Sequence, residues 1–387
     1  MGVVPFVPGR ARRPAPEAGT PSAAPVREAR IDPSAIAANV RALRAAAGTA
    51  EFLAVVKADG YGHGAETAAR AALEGGASWL GVADPDEAVA LRRAGVEAPL
   101  LAWILRTDAD FGPVAAAAID LGVSSEAQLL RVAATAPGAA VQLKLDTGLS
   151  RNGVEARAWG HAFEVAAELE HRGSLRVRGL FSHLANTSPE EDELAERRFA
   201  DAVRLARGAG LDPALLHLSS TAAAVSRDQS AYTMVRCGIG IYGVSPWGDP
   251  GRIPARLRPA MTLATEVAAV RRVEAGAGVS YDHVWRADRP TTLALVPMGY
   301  ADGVPRAASN RAEVLLGGKR RPVRGRIAMD QLLVDVGDDR VAVGDEVVLF
   351  GDPATGAPSA DEWGAWAGTI GYEVVTRIGP RVARTSG

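Results

Sequence analysis

The sequence predicts an α/β fold: a (β/α)8 barrel of the TIM type followed by a mainly antiparallel, all-β C-terminal domain. Two patterns and one absence predict it. Eight short apolar runs, at 52–57, 78–83, 99–104, 118–124, 141–147, 177–183, 215–220 and 234–241, alternate with helical segments over about 220 residues, in the manner of consecutive βα units. Past Tyr242 the texture changes to β-branched runs separated by turns. No G-x-G-x-x-G follows the first run, where a doubly wound dinucleotide-binding sheet would carry one.

Residues 1–27 are rich in Pro, Ala and Arg without helical or strand periodicity, and no apolar stretch follows Arg10, Arg12 and Arg13. They read as a disordered tail and not as a secretory leader. Residues 28–250 read as the barrel. Ile31-Asp32-Pro33-Ser34 is a helix start with Pro33 in its first turn, and Ile36, Val40 and Leu43 line one face. The first barrel strand, Phe52 to Val56, ends on Lys57, a glycine-punctuated turn, and a helix from Ala65 to Leu73. Further helices read at 84–95, 125–136, 157–171 and 189–208. Ser245 to Pro254 is a linker by composition, and 251–387 reads as the β-domain. Its strand runs fall at 262–273, 291–297, 312–316, 321–327, 331–336 and 345–350, with one short helix near 360–367.

A chain of 387 residues suffices for two full cores, and 48% apolar with 23% charged residues is ordinary for a globular protein. A net charge of −2 gives no electrostatic reason to expect nucleic acid or an anionic membrane as partner. Cys237 is the one cysteine, which excludes an intrachain disulfide and fits a reducing, cytoplasmic location. No apolar run reaches the roughly 18 residues of a membrane span. The six histidines (63, 161, 171, 183, 217 and 283) show no paired ligand spacing with carboxylates, so no metal site is expected.

Lys57 is the residue that points to chemistry. Burying an ammonium at the end of a core strand strips its hydration, which lowers its pKa and makes it a competent Schiff-base former. The glycines after it let backbone approach an anionic ligand and set a helix N-terminus beside it. In a barrel the site lies at the carboxyl ends of the strands. Those positions hold Lys144 to Gly153 after the fifth run, Phe181-Ser182-His183 after the sixth, Ser219-Ser220-Thr221 after the seventh, and Met234 to Gly240 in the eighth.

The stretch Val55-Val56-Lys57-Ala58-Asp59-Gly60-Tyr61-Gly62-His63-Gly64 resembles the lysine signature of the alanine racemases, VVKANAYGHG. Lys144 to Gly153 is similar to the family's KxDTGMxRxG, and Val279-Ser280-Tyr281, Gly299 to Gly303 and Gly325 to Gln331 resemble its VSYG, GYADG and GRxCMDQ segments. The resemblance runs from about Ala29 to Val382. It implies that Lys57 carries pyridoxal 5'-phosphate, with Tyr61, Thr221, Gly238, Ile239 and Tyr372 around the phosphate. Arg151 would bond the phenolic oxygen, with Lys144, often carbamylated in relatives, orienting it. His183 would stack beside the pyridine ring and Arg236 would face the ring nitrogen. Leu149 replaces the usual methionine, whose amide faces the substrate carboxylate. Tyr300, Met329 and Asp330 would line the substrate entrance. Tyr281 would be the second base, opposite Lys57, with Arg236 and His183 as its source of positive charge. Departures fall at Ser219-Ser220, where relatives have Ala-Asn, and at Asp282, where relatives have glycine.

The implied reaction is the interconversion of L- and D-alanine, supplying D-alanine for peptidoglycan, by a homodimer whose active site is shared between subunits. A racemase of another small amino acid such as serine, and a cofactor-carrier protein without turnover, are the alternatives. Arg236 argues against a barrel-type decarboxylase, which places an acid opposite the ring nitrogen. The β-domain with Tyr281 argues against a carrier, which has the barrel alone.

Overall fold

The computed structural model describes residues 26–249 and 257–386. Residues 1–25 of the expected tail and the second half of the expected linker lie outside the described residues.

Chain order gives β1 (Arg27–Ile31), α1 (Pro33–Ala47) and then the barrel strands. These are β2 (Glu51–Val55), β3 (Trp79–Val82), β4 (Leu100–Ala102), β5 (Ile119–Val123), β6 (Ala139–Lys144), β7 (Leu175–Phe181), β8 (Leu215–His217) and β9 (Met234–Cys237). Each falls on one of the eight apolar runs. They pair in parallel in the order β8-β7-β6-β5-β4-β3-β2-β9. The two ends of that sheet meet through Thr233 N–H donating to Leu216 O and Arg236 N–H donating to Ser219 O, both at 3.0 Å, which nearly closes the barrel.

The strands read as unbroken apolar runs because both faces are buried: one inside the barrel, one under helices. Two strand glycines make interior room. A Cβ at Gly81 would lie 2.7 Å from the Trp103 ring, and one at Gly122 2.8 Å from the Trp103 Cβ. The helices follow from capping and spacing. Asp32 accepts from Ala35 N–H at 3.1 Å to start α1, and Ser188 accepts from Glu191 N–H at 3.3 Å to start the helix Pro189–Gly208. The latter buries Phe199, Ala202, Val203 and Ala206, a stripe at the three-and-four spacing of one helix face.

The second sheet has nine strands and is mainly antiparallel. Its members include Met261–Glu266, Thr291–Val296, Glu313–Leu316, Lys319–Arg324, Leu332–Gly337 and Glu346–Phe350. Three features differ from the sequence reading. β1 pairs antiparallel with Met261–Glu266 and parallel with a terminal strand, Ala383–Ser386. The residues at 27–31 therefore belong by pairing to the second sheet, and Arg27 lies within the segment read as tail. Five residues of alternating burial carry too little pattern to show which sheet they join. The run 262–273 divides into Met261–Glu266 and Ala269–Val273. A second helix, Gly371–Thr376, follows Ala360–Ala367. At six residues it is too short for helical periodicity to register. It packs on the turn after β2: a Cβ at Gly62 would sit 2.5 Å from Val375 O. That contact carries Tyr372 to the mouth of the barrel.

Candidate active site

Strand β2 delivers Lys57 to the mouth, and the turn after it is held in an uncommon conformation. Ala58, Asp59 and Tyr61 all have positive φ (53°, 52° and 53°). Each left-handed non-glycine residue costs about 1 kcal/mol, so the surroundings must over-determine the turn. They do so with hydrogen bonds. The Glu87 carboxylate accepts from Ala58 N–H at 2.6 Å and Ala83 N–H at 2.8 Å. His63 donates from Nδ1 to the carbonyls of Gly60 and Tyr61, both at 3.0 Å, and stacks on Tyr242 with ring centroids 4.5 Å apart. One expectation is corrected here. The Asp59 carboxylate accepts from Ala65 N–H at 2.8 Å, so it caps the helix Ala65–Glu74 and takes the place expected for an anionic ligand. Lys57 itself is held below the usual lysine range, chiefly by burial and next by the nearby Arg151 guanidinium, with Glu87 opposing.

Five cations line one cavity of about 700 Å³ at this end of the barrel: Lys57, Lys144, Arg151 and Arg236, with Arg377 from the C-terminal domain. The Asp146 carboxylate builds the loop that carries Arg151, accepting from Gly148 N–H at 2.9 Å and Ser150 N–H at 3.1 Å. Burial and the neighbouring Arg236, Arg151 and Lys57 push Lys144 down to about 8. Arg236 is 6% exposed and donates to the carbonyls of His217 (2.9 Å), Ser182 (2.6 Å) and Leu218 (3.1 Å). His183 Nδ1 lies 3.2 Å from the same guanidinium. The expectation that His183 shares the positive charge is corrected: burial, then Arg236, Arg151, Lys144 and Lys57, press its pKa down to about 3, so the ring is neutral. Arg236, lowered by burial to about 10, stays charged at neutral pH.

The Lys144 shift has a consequence for stability. In the unfolded chain lysine titrates near about 10.4, so between pH 8 and that value the unfolded state binds more protons and stability rises with pH. Lys144→Met in the cofactor-free protein should therefore melt above the parent at pH 7, by an advantage that shrinks as pH is raised toward 10. A thermal-melt series showing a lower melting point at pH 7, or an advantage that grows with pH, would contradict the assignment.

The opposite wall is aromatic and close-packed. Tyr61, Ile239 and Tyr372 line the cavity with Thr221 and Gly238. Thr221 Oγ accepts from Gly238 N–H at 3.1 Å. A Cβ at Gly238 would sit 2.5 Å from the Tyr61 hydroxyl oxygen, so only glycine leaves that hydroxyl in place. Tyr372 donates to Pro246 O at 3.4 Å.

Five of the residues singled out in the sequence do not line this cavity within one chain: Leu149, Tyr281, Tyr300, Met329 and Asp330. Tyr281 (68% exposed), Tyr300 (38%) and Met329 (53%) open on the β-domain surface, where Arg381 donates to Asp330 at 2.7 Å. Tyr281 sits in a turn with Ser280, Asp282 and His283 at φ 60°, 60° and 44°. Ser280 Oγ donates to Arg326 O at 2.7 Å, and the Asp282 carboxylate accepts from Arg326 Nε at 2.5 Å. Asp282 thus keeps the positive φ a glycine would adopt and adds an ion pair to Arg326. The sequence reading missed Glu87, Trp103 and His217. Glu87 was legible only as the N3 residue of a helix start at Asp84-Pro85, and His217 only as a polar residue inside an apolar strand.

Fold and site together define the class: a barrel protein with a pKa-lowered lysine at the end of its first strand and a cation-rich, tyrosine-walled mouth, joined to an antiparallel β-domain. Family models for the alanine racemase N-terminal domain and C-terminal domain match residues 31–246 and 260–386. The alanine racemase of Mycolicibacterium smegmatis is 50% identical over 364 residues, covering 92% of this chain and 93% of that protein. That of Frankia casuarinae is 47% identical over 376 residues, covering 95% and 98%. The crystal structure of alanine racemase from D-cycloserine-producing Streptomyces lavendulae is similar with a TM-score of 0.91 and 42% identity, covering 95% of this chain and 98% of that one. The chain belongs to the alanine racemase family.

Proposed function

We propose that this protein interconverts L-alanine and D-alanine, with pyridoxal 5'-phosphate at the barrel mouth and one proton-transferring group on each face of the substrate. The observation that carries the reading is the convergence of Lys57, Lys144, Arg151 and Arg236 on one cavity opposite Tyr61 and Tyr372, in a chain of this family. The residues present fit the cofactor. Its phosphate would meet the Tyr61, Thr221, Gly238, Ile239 and Tyr372 side of the cavity, where the absent Cβ of Gly238 lets the Tyr61 hydroxyl take its place in the wall. Its phenolic oxygen would meet Arg151, oriented by Lys144. His183 would flank the ring and Arg236 would face the ring nitrogen. When bound, pyridoxal phosphate supplies the electron sink that makes an α-proton removable.

The chain's residues supply the rest. Lys57 would hold the cofactor covalently, and its Nζ, when free, would be the proton-transferring group on one face. Its lowered pKa favours the neutral amine, so Nζ can take the α-proton there. The Tyr281 hydroxyl of a second copy delivers a proton to the other face, and the reverse reaction exchanges the two roles. Arg236 only donates hydrogen bonds, so facing the ring nitrogen it would leave that atom without a proton, which would limit side reactions. A homodimer follows from this reading, because within one chain Tyr281, Tyr300 and Met329 face outward from the β-domain. The substrate carboxylate would meet the Leu149 amide and Arg151, and Tyr300, Met329 and Asp330 would border the entrance. We place the reaction in the cytoplasm, supplying D-alanine to the cell wall. No helix among the described residues is long and apolar enough to cross a membrane.

Polarimetry tests the reaction. Enantiomers have equal free energy in water, so L-alanine should lose its rotation completely and L-serine much more slowly. Retained rotation, or release of carbon dioxide or pyruvate, would overturn the proposal. Arg236→Glu should lower racemisation and raise transamination, read as pyruvate formed per racemisation event; an unchanged ratio would remove Arg236 from that role.

A further inference from the structure

Arg236, His217, Gln142 and Asp120 form one continuous chain of buried polar groups inside the barrel, and its direction is fixed at both ends. Arg236 Nη1 lies 3.0 Å from His217 Nδ1. A guanidinium has no acceptor, so Nδ1 must accept and the His217 proton must sit on Nε2. His217 Nε2 lies 2.7 Å from Gln142 Oε1, which accepts it. Gln142 Nε2 then donates to Asp120 Oδ2 at 2.9 Å, and Asp120 Oδ1 accepts from Arg178 at 3.0 Å. Every arrow converges on Asp120, from a guanidinium at each end, and the scheme closes with no donor facing a donor. His217 and Gln142 are 0% exposed, so water offers neither an alternative partner, and Asp120 is 3% exposed.

The backbone is built around this chain. The β6–β7 register shifts between Val141 and Gln142, pairing Val141 with Val177 and Gln142 with Gly179, which leaves Arg178 as the extra residue of a bulge. A bulge re-aims its side chain. Arg178 reaches Asp120 and lies 4.7 Å from the Trp79 ring centroid. A Cβ at Gly179 would come within 3.2 Å of Gln142 Oε1, so the glycine clears the amide. Phe181 stacks on His217 at 5.0 Å with the rings 7° from parallel, which fixes the imidazole plane.

We propose that Gln142 and Asp120 are positioning residues for Arg236. They act through the single permitted tautomer of His217, and Arg178 balances the Asp120 charge at the far end of the barrel. The functional part rests on the reading that Arg236 belongs to the reacting site. The tautomer part does not, and the test separates them.

The measurement is side-chain 15N NMR of the full-length protein without substrate, with His217 assigned by its loss in His217→Gln. The wild type should show a neutral ring protonated at Nε2 and protected from exchange. Protonation at Nδ1, or averaging between tautomers, would overturn the proposal. In Asp120→Asn only one terminal atom accepts, so a donor faces a donor somewhere along the chain. The His217 signal should shift or split, and kcat for alanine should fall about tenfold with KM within about twofold. If that variant does not fold, Gln142→Met is read in the same way, the Nε2 proton losing its protection. An unchanged His217 signal with unchanged kcat overturns the proposal. The expected NMR result in a protein inactive on alanine supports the chain and rejects the functional reading instead.

Discussion

Lys57→Ala should yield a folded protein that takes up no yellow colour from pyridoxal phosphate and whose racemisation of alanine is lower by on the order of 10⁴-fold or more, since covalent attachment and one proton transfer are lost together. The folded state should survive. Lys57 makes no hydrogen bond that holds the turn; Glu87, His63 and the cap from Asp59 to Ala65 do that. Removing a half-buried cation from beside Lys144 and Arg151 also relieves like-charge repulsion, so the melting temperature without cofactor should hold or rise. A retained yellow, reducible adduct would reject Lys57 as the attachment point.

Tyr281→Phe should produce a different defect. Loss of one of two proton-transferring groups removes about 10²–10⁴-fold in rate, but only for the face that group serves. In deuterated water, Lys57 should still exchange the α-proton of one enantiomer without inversion, while conversion to the other nearly stops. Equal, full activity from both enantiomers would remove Tyr281 from the reaction. An equal loss of exchange from both would make the tyrosine a packing residue. Because Tyr281 is largely exposed in one chain and lies in a turn pinned to Arg326, stability of the single subunit should change little.

The barrel was legible because its signal is local. Eight buried parallel strands read as eight apolar runs, and caps such as Ser188 announce the helices between them. The mouth was legible for a related reason: Lys57, His183 and Arg236 are polar residues at or beside apolar strand ends, where burial demands an explanation. What the sequence concealed depends on long-range partners. β1 joins strands more than two hundred residues away. The helix Gly371–Thr376 is too short to show a period. The state of His183 was misread because a lone histidine says nothing of the four cations that fold around it. The chain through Gln142 and Asp120 exists only once a bulge sets Arg178 out of register. Tyr281 is the opposite case. Its motif is plain in the sequence, yet within one chain it does not line the cavity it is assigned to serve.

The sequence has three lysines, at 57, 144 and 319, and two of them face the same cavity. Borohydride reduction of the protein loaded with pyridoxal phosphate, followed by peptide mass mapping, therefore asks the central question with few possible answers. The account predicts the reduced adduct on the peptide containing Lys57 alone, blocked when L-alanine is present during reduction. An adduct on Lys144 or Lys319, or none at all, would contradict it.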